Sequence, residues 1–347
     1  MRRLVSLLAI TLTIALSACG GPLSPPTAAT APSPLPTQAP HGAAASAEVR
    51  LVDAIAGTPA AGISVTVGSR AMPISDGDGC STLSADRSGR YGVTFSGGGV
   101  VTRTTLLAIP APEVQLSLIP AGFALAAFDE MFRSRNGQLG RWNAAPRLVV
   151  AGREVQFDPA YPGVLKVLSS ALTDGERDDL VADLSYGFGI LTDQRLGGFS
   201  SVATESPAAG ASFNILRTGA IVVARSRGLT AATGYWGLGQ WATAGNGEVA
   251  GGYMLLDADF DGPSCAYPQF RRSLRIHELG HALGYQHVTQ VRSVMNANAR
   301  LEPTAWDLQA VHIAFQRLPG STTPDNDPPP ATAALRSGAL TWASPIY

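Results

Sequence analysis

Lysine is nearly absent from this chain of 347 residues: Lys166 is the only lysine, and arginine supplies the rest of the positive charge. Charged residues make up only 15% of the chain, and 25 Lys+Arg almost balance 26 Asp+Glu, which gives a formal net charge of −1. A chain without excess positive charge has no general attraction for nucleic-acid phosphates or for an anionic membrane surface. We therefore expect no nucleic acid as a partner.

Cysteine and long apolar runs are also scarce. The chain has three cysteines, of which Cys80 and Cys265 are expected to lie in different domains, either joined by a disulfide or as two free thiols. The apolar run at residues 4–18 is too short for a membrane-spanning helix. A hydrophobic fraction of 45% nevertheless excludes a wholly disordered polyelectrolyte, whereas 38 Gly and 25 Pro predict many turns and at least one unpacked segment.

The N-terminus has the features of an export signal. Arg2 and Arg3 precede the apolar run, whose length is typical of the hydrophobic region of a signal peptide. The run ends in Leu16-Ser17-Ala18-Cys19, which resembles the lipobox of bacterial lipoproteins. The resemblance implies a signal peptide at residues 1–18, cleavage before Cys19 and a lipid on that cysteine, which would anchor the exported protein to the outer membrane or cell surface. The alternative is an ordinary signal peptide with an incidental cysteine.

Composition divides the rest of the chain into four parts. Residues 19–46 are rich in Pro and Ala, and this composition is typical of an extended tether. Residues 47–120 contain short alternating runs separated by turn signals, which predict a small β-sandwich. Residues 121–320 have longer apolar periodicities and are expected to form a larger α+β domain. Residues 321–347 are rich in Pro, Ala and Thr and are expected to be a flexible tail.

The small β module resembles the prealbumin-like regulatory modules found beside carboxypeptidases. The similarity lies in the turn at residues 86–91 and in residues 58–62. No catalytic group stands out, so we expect a spacer or an adhesion unit. Residues 76–79, Asp-Gly-Asp-Gly, are consistent with either a calcium site or a polar turn.

In the larger domain, periodicity predicts helices at residues 123–132 and 162–172 and strands at residues 147–150, 220–224 and 252–257. Its distinctive motif follows at residues 277–287. His277 and His281 are four residues apart, so that on a helix both imidazoles reach one tetrahedral ion. Glu278 flanks the same face and is positioned to accept a proton from a water on that ion.

Gly284 permits the left-handed turn that ends this helix and returns the chain, so that His287 becomes the third ligand. Three neutral imidazoles leave one position for water, whose pKa falls from ~15.7 towards ~7 on Zn²⁺. The alternative to a metal site is that these histidines are only hydrogen-bonded within the fold. Three of the five histidines in the chain stand at the spacings that a metal site requires, which favours the metal site.

This motif resembles the H-E-x-x-H-x-x-G-x-x-H signature of metzincin zinc metallopeptidases. The resemblance implies a zincin-like catalytic domain with a mixed sheet, an active-site helix and a C-terminal helix. It also implies that Met295 forms the Met-turn beneath the metal ligands, although a plain core methionine is the alternative. Ala297 stands where some branches carry a tyrosine ligand, which favours the matrixin-like or a divergent branch. Residues 303–307 form an N-cap with a capping-box acid and open a helix to about Arg317, which resembles the matrixin-like C-terminal helix with Asp307 at the place of its helix-start aspartate. No cysteine switch is evident.

Three further segments bear on this domain. The resemblance implies that residues 248–260 form the antiparallel edge strand that pairs with substrate. Residues 257–262 resemble the start of an EF-hand loop without its closing glutamate, so that Ca²⁺ binding or a polar turn remains open. The aromatic and glycine-rich residues 234–241 either border the cleft or form a packed loop, and His312 is expected to be packed or exposed rather than a ligand.

The leading functional hypothesis is a zinc-dependent endopeptidase, active on proteins or peptides outside the cytoplasm, tethered to a membrane through Cys19 and monomeric. The rival is a surface-binding or adhesion lipoprotein with a structural metal site. Glu278 speaks against the rival, because a structural site needs no base and normally closes its fourth position with a protein ligand.

Overall fold

The computed structural model describes residues 45–133, 137–160, 163–298, 300–329 and 341–342. The predicted signal peptide, Cys19 and nearly all of the tether lie outside these residues. Over the described ranges the chain is a mixed α+β protein with several sheets and few helices. None of the helices in these ranges is long and apolar enough to cross a membrane.

The elements are numbered in chain order. The strands are β1 (Ala45–Asp53), β2 (Ser64–Val67), β3 (Arg70–Ala71), β4 (Cys80–Ala85), β5 (Gly89–Ser96), β6 (Arg103–Ile109), β7 (Ala111–Leu118), β8 (Arg141–Trp142), β9 (Arg147–Ala151), β10 (Arg153–Gln156), β11 (Val164–Ala171), β12 (Ser201–Glu205), β13 (Ser212–Asn214), β14 (Ala220–Arg227), β15 (Gly237–Thr243), β16 (Glu248–Asp257) and β17 (Thr341–Trp342). The helices are α1 (Leu125–Phe132), α2 (Asp174–Leu191), α3 (Leu229–Thr233), α4 (Ala258–Asp261), α5 (Arg271–Ala282) and α6 (Ala305–Phe315), with a short 3-10 helix at Pro268–Phe270.

The first seven strands form two small sheets, ordered β4-β1-β7 and β3-β2-β5-β6. Buried and exposed residues alternate along β1 and β4, and the inward side chains of both sheets, such as Leu51, Val65 and Phe95, share one hydrophobic cluster. Period-two alternation is what the pleat of a half-buried strand requires. Strand β1 begins at Ala45, so residues 45 and 46 belong to this sheet rather than to the tether.

The remaining strands form a ten-stranded mixed sheet. Its central run is ordered β12-β9-β14-β16-β15, with parallel neighbours except for β15, which is antiparallel to β16. Alternate residues of β14 enter two different cores: Ile221 and Val223 pack with α2, α5 and α6, whereas Val222 packs on the opposite face. This burial on both faces explains why β14 and β16 are nearly continuous apolar runs.

Periodicity alone misassigned residues 162–172, which were predicted to be helical. Strand β11 occupies this segment, with Leu165 and Val167 buried and Val164 exposed. A short apolar run fits both the helical period and the strand period, and only its pairing with β10 and β13 makes this segment a strand. The predicted helix at residues 123–132 and the three predicted strands are confirmed, although α2, which follows a Thr173–Glu176 capping box, had not been predicted.

Strand β16 is not the edge strand that the sequence had suggested for residues 248–260. It lies between β14 and β15, and eight of its ten residues are buried. The antiparallel strand outside β16 is β15, which includes residues 237–241, and β17 pairs with its last two residues. Antiparallel direction and edge position cannot be read from the apolar content of one strand, because both depend on which strands flank it.

The beginning of the expected flexible tail is packed. Asp325 is fully buried and receives hydrogen bonds from Nε and Nη2 of Arg317 at 2.6 and 2.8 Å. The same guanidinium donates to Ser117 of β7, and Arg103 of β6 pairs with Asp327 at 2.8 Å. A composition rich in proline reports a lack of regular secondary structure, and it does not preclude burial against charged partners.

Candidate metal site

Helix α5 carries His277 and His281 on one face, one turn apart. His287 approaches the same point from the segment after the helix. The Nε2 atoms of the three imidazoles lie 3.2 Å apart in each pair. Among the described residues these three side chains form a group able to hold a metal ion.

Two of the rings have a defined tautomer. Nδ1 of His277 donates to the carbonyl of Val294 at 2.8 Å, and Nδ1 of His281 donates to the carbonyl of Tyr285 at 2.7 Å. Since a carbonyl only accepts, each Nδ1 carries the proton and each Nε2 presents a lone pair. Two lone pairs that face each other at 3.2 Å cannot hydrogen-bond, but a cation between them satisfies both.

The donor set fits a tetrahedral ion. Nitrogens bound at 2.0–2.1 Å to one tetrahedral ion are separated by about 3.3 Å, close to the observed 3.2 Å. Burial lowers the pKa of His277 to about 4 and that of His281 well below its ordinary value, and it also lowers the pKa of His287. All three rings are therefore neutral at pH 7, which is the form that binds metals.

The turn after α5 is a Schellman motif. The N–H of Gly284 donates to the carbonyl of His281 at 2.9 Å, and the N–H of Tyr285 donates to that of Gly280 at 2.9 Å. Gly284 has φ +106, and a Cβ there would lie 2.8 Å from Val249. The conformation and the crowding both require glycine, and the turn sends His287 back towards the other two ligands.

Met295 lies beneath α5. Its side chain is fully buried. Its sulfur lies 2.3 Å from the position that a Cβ on Gly280 would take, so the glycine makes room for this sulfur. Asp307 of α6 holds the turn at residues 293–295, which carries Met295. The carboxylate of Asp307 accepts from the hydroxyl of Ser293 at 2.5 Å and from the N–H of Val294 at 3.0 Å. Because Val294 also orients the His277 ring, this buried aspartate connects α6 to a candidate ligand.

Glu278 lies next to the ligands and is 5% exposed. Burial raises its pKa to about 8, while a hydrogen bond from the N–H of Gly239 acts in the opposite direction. A cation held by the imidazoles would lower this pKa again, because a nearby positive charge favours the carboxylate. The carboxylate of Glu278 therefore borders the same cavity as the three imidazoles.

Two glycines of β15 make room for this arrangement. A Cβ on Gly237 would be 2.4 Å from Oε1 of Glu278, and one on Gly239 would be 2.4 Å from the carbonyl oxygen of Glu278. Sequence reasoning missed their role. Two glycines two residues apart in a strand are a signal of close backbone approach on one face, and that signal was present.

The histidines and Glu278 line a cavity of about 300 Å³. Its wall includes Gly234, Tyr235, Trp236, Gly237 and Leu238, whereas Trp241 is buried in the core. The glycine-rich segment thus borders the cavity at one end and is packed at the other.

A buried ionic cluster holds the base of α5. Arg275 donates to Asp261 and Asp183 at 2.7 and 2.8 Å, and Arg225 of β14 donates to Asp261 and Glu176 at 2.7 and 2.5 Å. Asp261 is fully buried between the two arginines. The cluster joins α2, β14, α4 and α5, and through Arg275 it fixes the N-terminal half of the ligand helix relative to the sheet.

Other candidate ligands serve different roles. Asp257 caps α4 through the N–H groups of Asp259 and Phe260, and Asp261 pairs with arginines, so that residues 257–262 form a capped turn whose carboxylates do not converge as in a calcium loop. Asp76 likewise accepts the N–H of Asp78. His312 bonds to Asp193 at 2.8 Å, away from the site.

Cys80 and Cys265 are not joined by a disulfide. No protein-family model and no curated protein matches the chain. Functional proposals therefore depend on the site itself and on the motif that builds it.

Proposed function

We propose that this protein is a zinc-dependent endopeptidase of the metzincin type, matrixin-like in its turn and C-terminal helix. The single observation that carries the proposal is the convergence of three imidazole Nε2 atoms beside the buried carboxylate of Glu278 at the wall of an open cavity. A mixed sheet, the ligand helix α5 and helix α6 are the features that the sequence resemblance implies for a zincin-like catalytic domain, and they support the proposal.

Zinc is the ion we assign. Three neutral nitrogen ligands, two of which also hydrogen-bond to a carbonyl through Nδ1, suit zinc, whereas calcium and magnesium prefer oxygen ligands. When bound, such an ion polarises a carbonyl oxygen and acidifies a water molecule.

The protein's own residues supply the remaining chemistry. An extended peptide is held along the outer edge of β15, which brings its carbonyl group to the three histidines. Glu278 accepts a proton on its carboxylate from the attacking water and delivers it to the nitrogen of the departing amine. Gly237 allows the carboxylate, and Gly239 allows the backbone of α5, to lie close to the strand that binds substrate.

We further propose that the protein is exported and lipid-anchored through Cys19, with the two small sheets acting as a prealbumin-like β-sandwich spacer. This proposal rests on the lipobox-like Leu16-Ser17-Ala18-Cys19 and on the two sheets that share one core. An anchored protease of this design acts on proteins or peptides outside the cytoplasm.

The rival hypothesis is an adhesion lipoprotein with a structural metal. A structural zinc site normally has four protein ligands, whereas the metal-binding group found among the described residues has three. The carboxylate of Glu278 and the cavity beside it are also unnecessary for a purely structural ion.

The test is the substitution Glu278→Gln, assayed by hydrolysis of a mixed peptide library and by elemental analysis. We expect zinc to be retained at one ion per chain and hydrolysis to fall by ~10²-fold or more, because general base catalysis typically contributes that much. The matched control is Glu302→Gln, whose carboxylate is 53% exposed and pairs with Arg272. Full activity in Glu278→Gln, or hydrolysis that survives complete metal removal, would rule out the proposed mechanism.

A further inference from the structure

The three candidate ligands are not held in the same way. His277 and His281 lie on α5, and each donates its Nδ1–H to a carbonyl. His287 lies beyond the helix, and no described residue hydrogen-bonds to its Nδ1, although its Nε2 meets the other two imidazoles. The position of this third ring is therefore set by the backbone that carries it, residues 286–290, which we name the ligand loop.

Glu130 of α1 holds the ligand loop just after His287. Its carboxylate accepts from the N–H and from the hydroxyl of Thr289, both at 2.9 Å, and from the side-chain amide of Gln290 at 3.0 Å. Burial raises the pKa of Glu130, but the hydrogen bonds from Thr289 and Gln290 outweigh it, so the pKa lies below its ordinary value. The acceptor is thus ionised at pH 7, which strengthens all three hydrogen bonds.

Helix α1 is a fixed support for these bonds. The side chains of Met131 and Phe132 are fully buried, and the ring of Phe132 packs on that of Tyr285 with centroids 4.7 Å apart. The carbonyl of Met131 also accepts from the N–H of Gln286 at 2.9 Å. Helix α1 therefore holds the ligand loop both before and after His287.

The opposite side of the ligand loop is held by the segment that carries Met295. The N–H of Val288 donates to the carbonyl of Met295 at 3.0 Å, and Nδ2 of Asn296 donates to the carbonyl of Val288 at 2.6 Å. These contacts fix the inner side of the loop, because Val288 is buried whereas the two residues after it are exposed. The exposed half of the loop depends on Glu130.

We propose that Glu130 is a positioning residue for the third metal ligand, because it holds the ligand loop where the ring of His287 meets His277 and His281. This inference deepens the proposed function: it rests on the metal site, but it does not require hydrolysis. A loop that is ordered before an ion arrives lowers the entropic cost of binding that ion. Groups that orient metal ligands typically contribute 10–100-fold to metal affinity, and we assign about tenfold to Glu130 because it acts through the backbone.

The test is the zinc dissociation constant of the full chain, measured by competition with a chelator. We expect this Kd to rise about tenfold in Glu130→Ala and by less in Glu130→Gln, whose amide oxygen still accepts a hydrogen bond. The matched control is Asp129→Asn. Asp129 is the neighbouring carboxylate on α1, but it accepts from Arg133 and Thr323 instead of the ligand loop. A wild-type Kd in Glu130→Ala, or an equal rise in the control, would overturn the proposal.

A second background separates positioning of the ligand from general stabilisation of the fold. In His287→Ala, His277 and His281 remain as a weaker site with two nitrogen ligands. If Glu130 acts through His287, Glu130→Ala does not weaken zinc binding further in this background, so the two substitutions are not additive. An equal tenfold loss in both backgrounds would show that Glu130 only stabilises the fold and would refute its positioning role.

If Glu130→Ala does not fold, Thr289→Val combined with Gln290→Leu takes its place. This pair removes two of the three hydrogen bonds from the exposed side of the ligand loop and keeps the N–H of Thr289. We expect the zinc Kd to rise about threefold, and to rise no further when His287→Ala is already present. An unchanged Kd in the pair would also refute the positioning role.

Hydrolysis of peptides distinguishes this inference from the proposed function. In an active peptidase, Glu130→Ala needs about tenfold more zinc for half-maximal activity, whereas Glu278→Gln stays impaired at every zinc concentration. Wild-type zinc affinity in an active Glu130→Ala would refute the positioning role and leave the proposed function standing. Weakened zinc binding by Glu130→Ala in a protein that hydrolyses no peptide would support the positioning role and refute the peptidase. A wild-type chain that binds no zinc would overturn both.

Discussion

Gly237→Ala is predicted to inactivate the protein without removing its metal. The added methyl carbon would lie 2.4 Å from Oε1 of Glu278 and 2.6 Å from its Cδ and Cγ. Carbon and oxygen atoms normally approach no closer than about 3.4 Å, so the carboxylate must retreat by about 1 Å. No histidine atom is among the nearest contacts of this methyl group, so the ligands keep their places.

The expected loss follows from that displacement. A 1 Å misplacement of a catalytic group costs on the order of 10²-fold in rate, which corresponds to about 2.7 kcal/mol of transition-state stabilisation. Overpacking costs about 1–3 kcal/mol of folding stability, which a domain of this size tolerates. Activity is therefore expected to fall much further than the fraction of folded protein.

The assay compares kcat/KM on a cleaved peptide, zinc content and thermal unfolding for Gly237→Ala and for Gly245→Ala. Gly245 is the matched control, because a Cβ there meets nothing within 4 Å and its φ is not positive. Wild-type kcat/KM in Gly237→Ala, with zinc retained, would show that the position of the carboxylate does not limit the reaction and would refute the reasoning.

Three further predictions concern stability. Chelation should lower the melting temperature and zinc should restore it, because an ion at 1,000 times its Kd stabilises the folded state by about 4 kcal/mol; an unchanged melting temperature would contradict a bound ion. Asp261→Asn should cost about 3–5 kcal/mol in urea unfolding, since it leaves two buried arginines short of a partner, whereas Asp259→Asn, at an 82% exposed side chain, should cost much less. Burial would raise the pKa of Glu176, but hydrogen bonds from Thr173 and Arg225 lower it to about 2. The contribution of ionised Glu176 to the free energy of unfolding is complete above pH 4.5 and is lost as the pH falls towards 2. Glu176→Gln should therefore flatten the dependence of the unfolding free energy on pH between pH 4.5 and 2. An unaltered slope would count against this role of Glu176.

Local sequence identified the candidate ligands because their geometry is local. Residues four apart on a helix share a face in almost any protein, and a glycine with positive φ ends a helix by itself. The positions of His277, His281 and Gly284 on α5 and its turn therefore followed from spacing, and the structure brings His287 to the same point.

Elements that depend on neighbours were predicted less well. Residues 164–171 have a short apolar run that suits helix or strand, and pairing with β10 and β13 makes them a strand. The edge strand was placed at residues 248–260, but β15 lies outside β16, and β17 pairs with β15 at Ala242 and Thr243. The buried partner of Arg317 was expected to lie in a flexible tail, because composition does not record a long-range ion pair.

The amino-acid order alone determined the ligand spacing, the adjacent base and the turn that returns the third histidine, since each involves residues within one or two helical turns. Folding in three dimensions decided which strand crosses Glu278, how Val294 aims the imidazole of His277, and that β17 pairs with β15. These relations join residues far apart in the chain, where no local preference acts and only packing and hydrogen bonding select one arrangement.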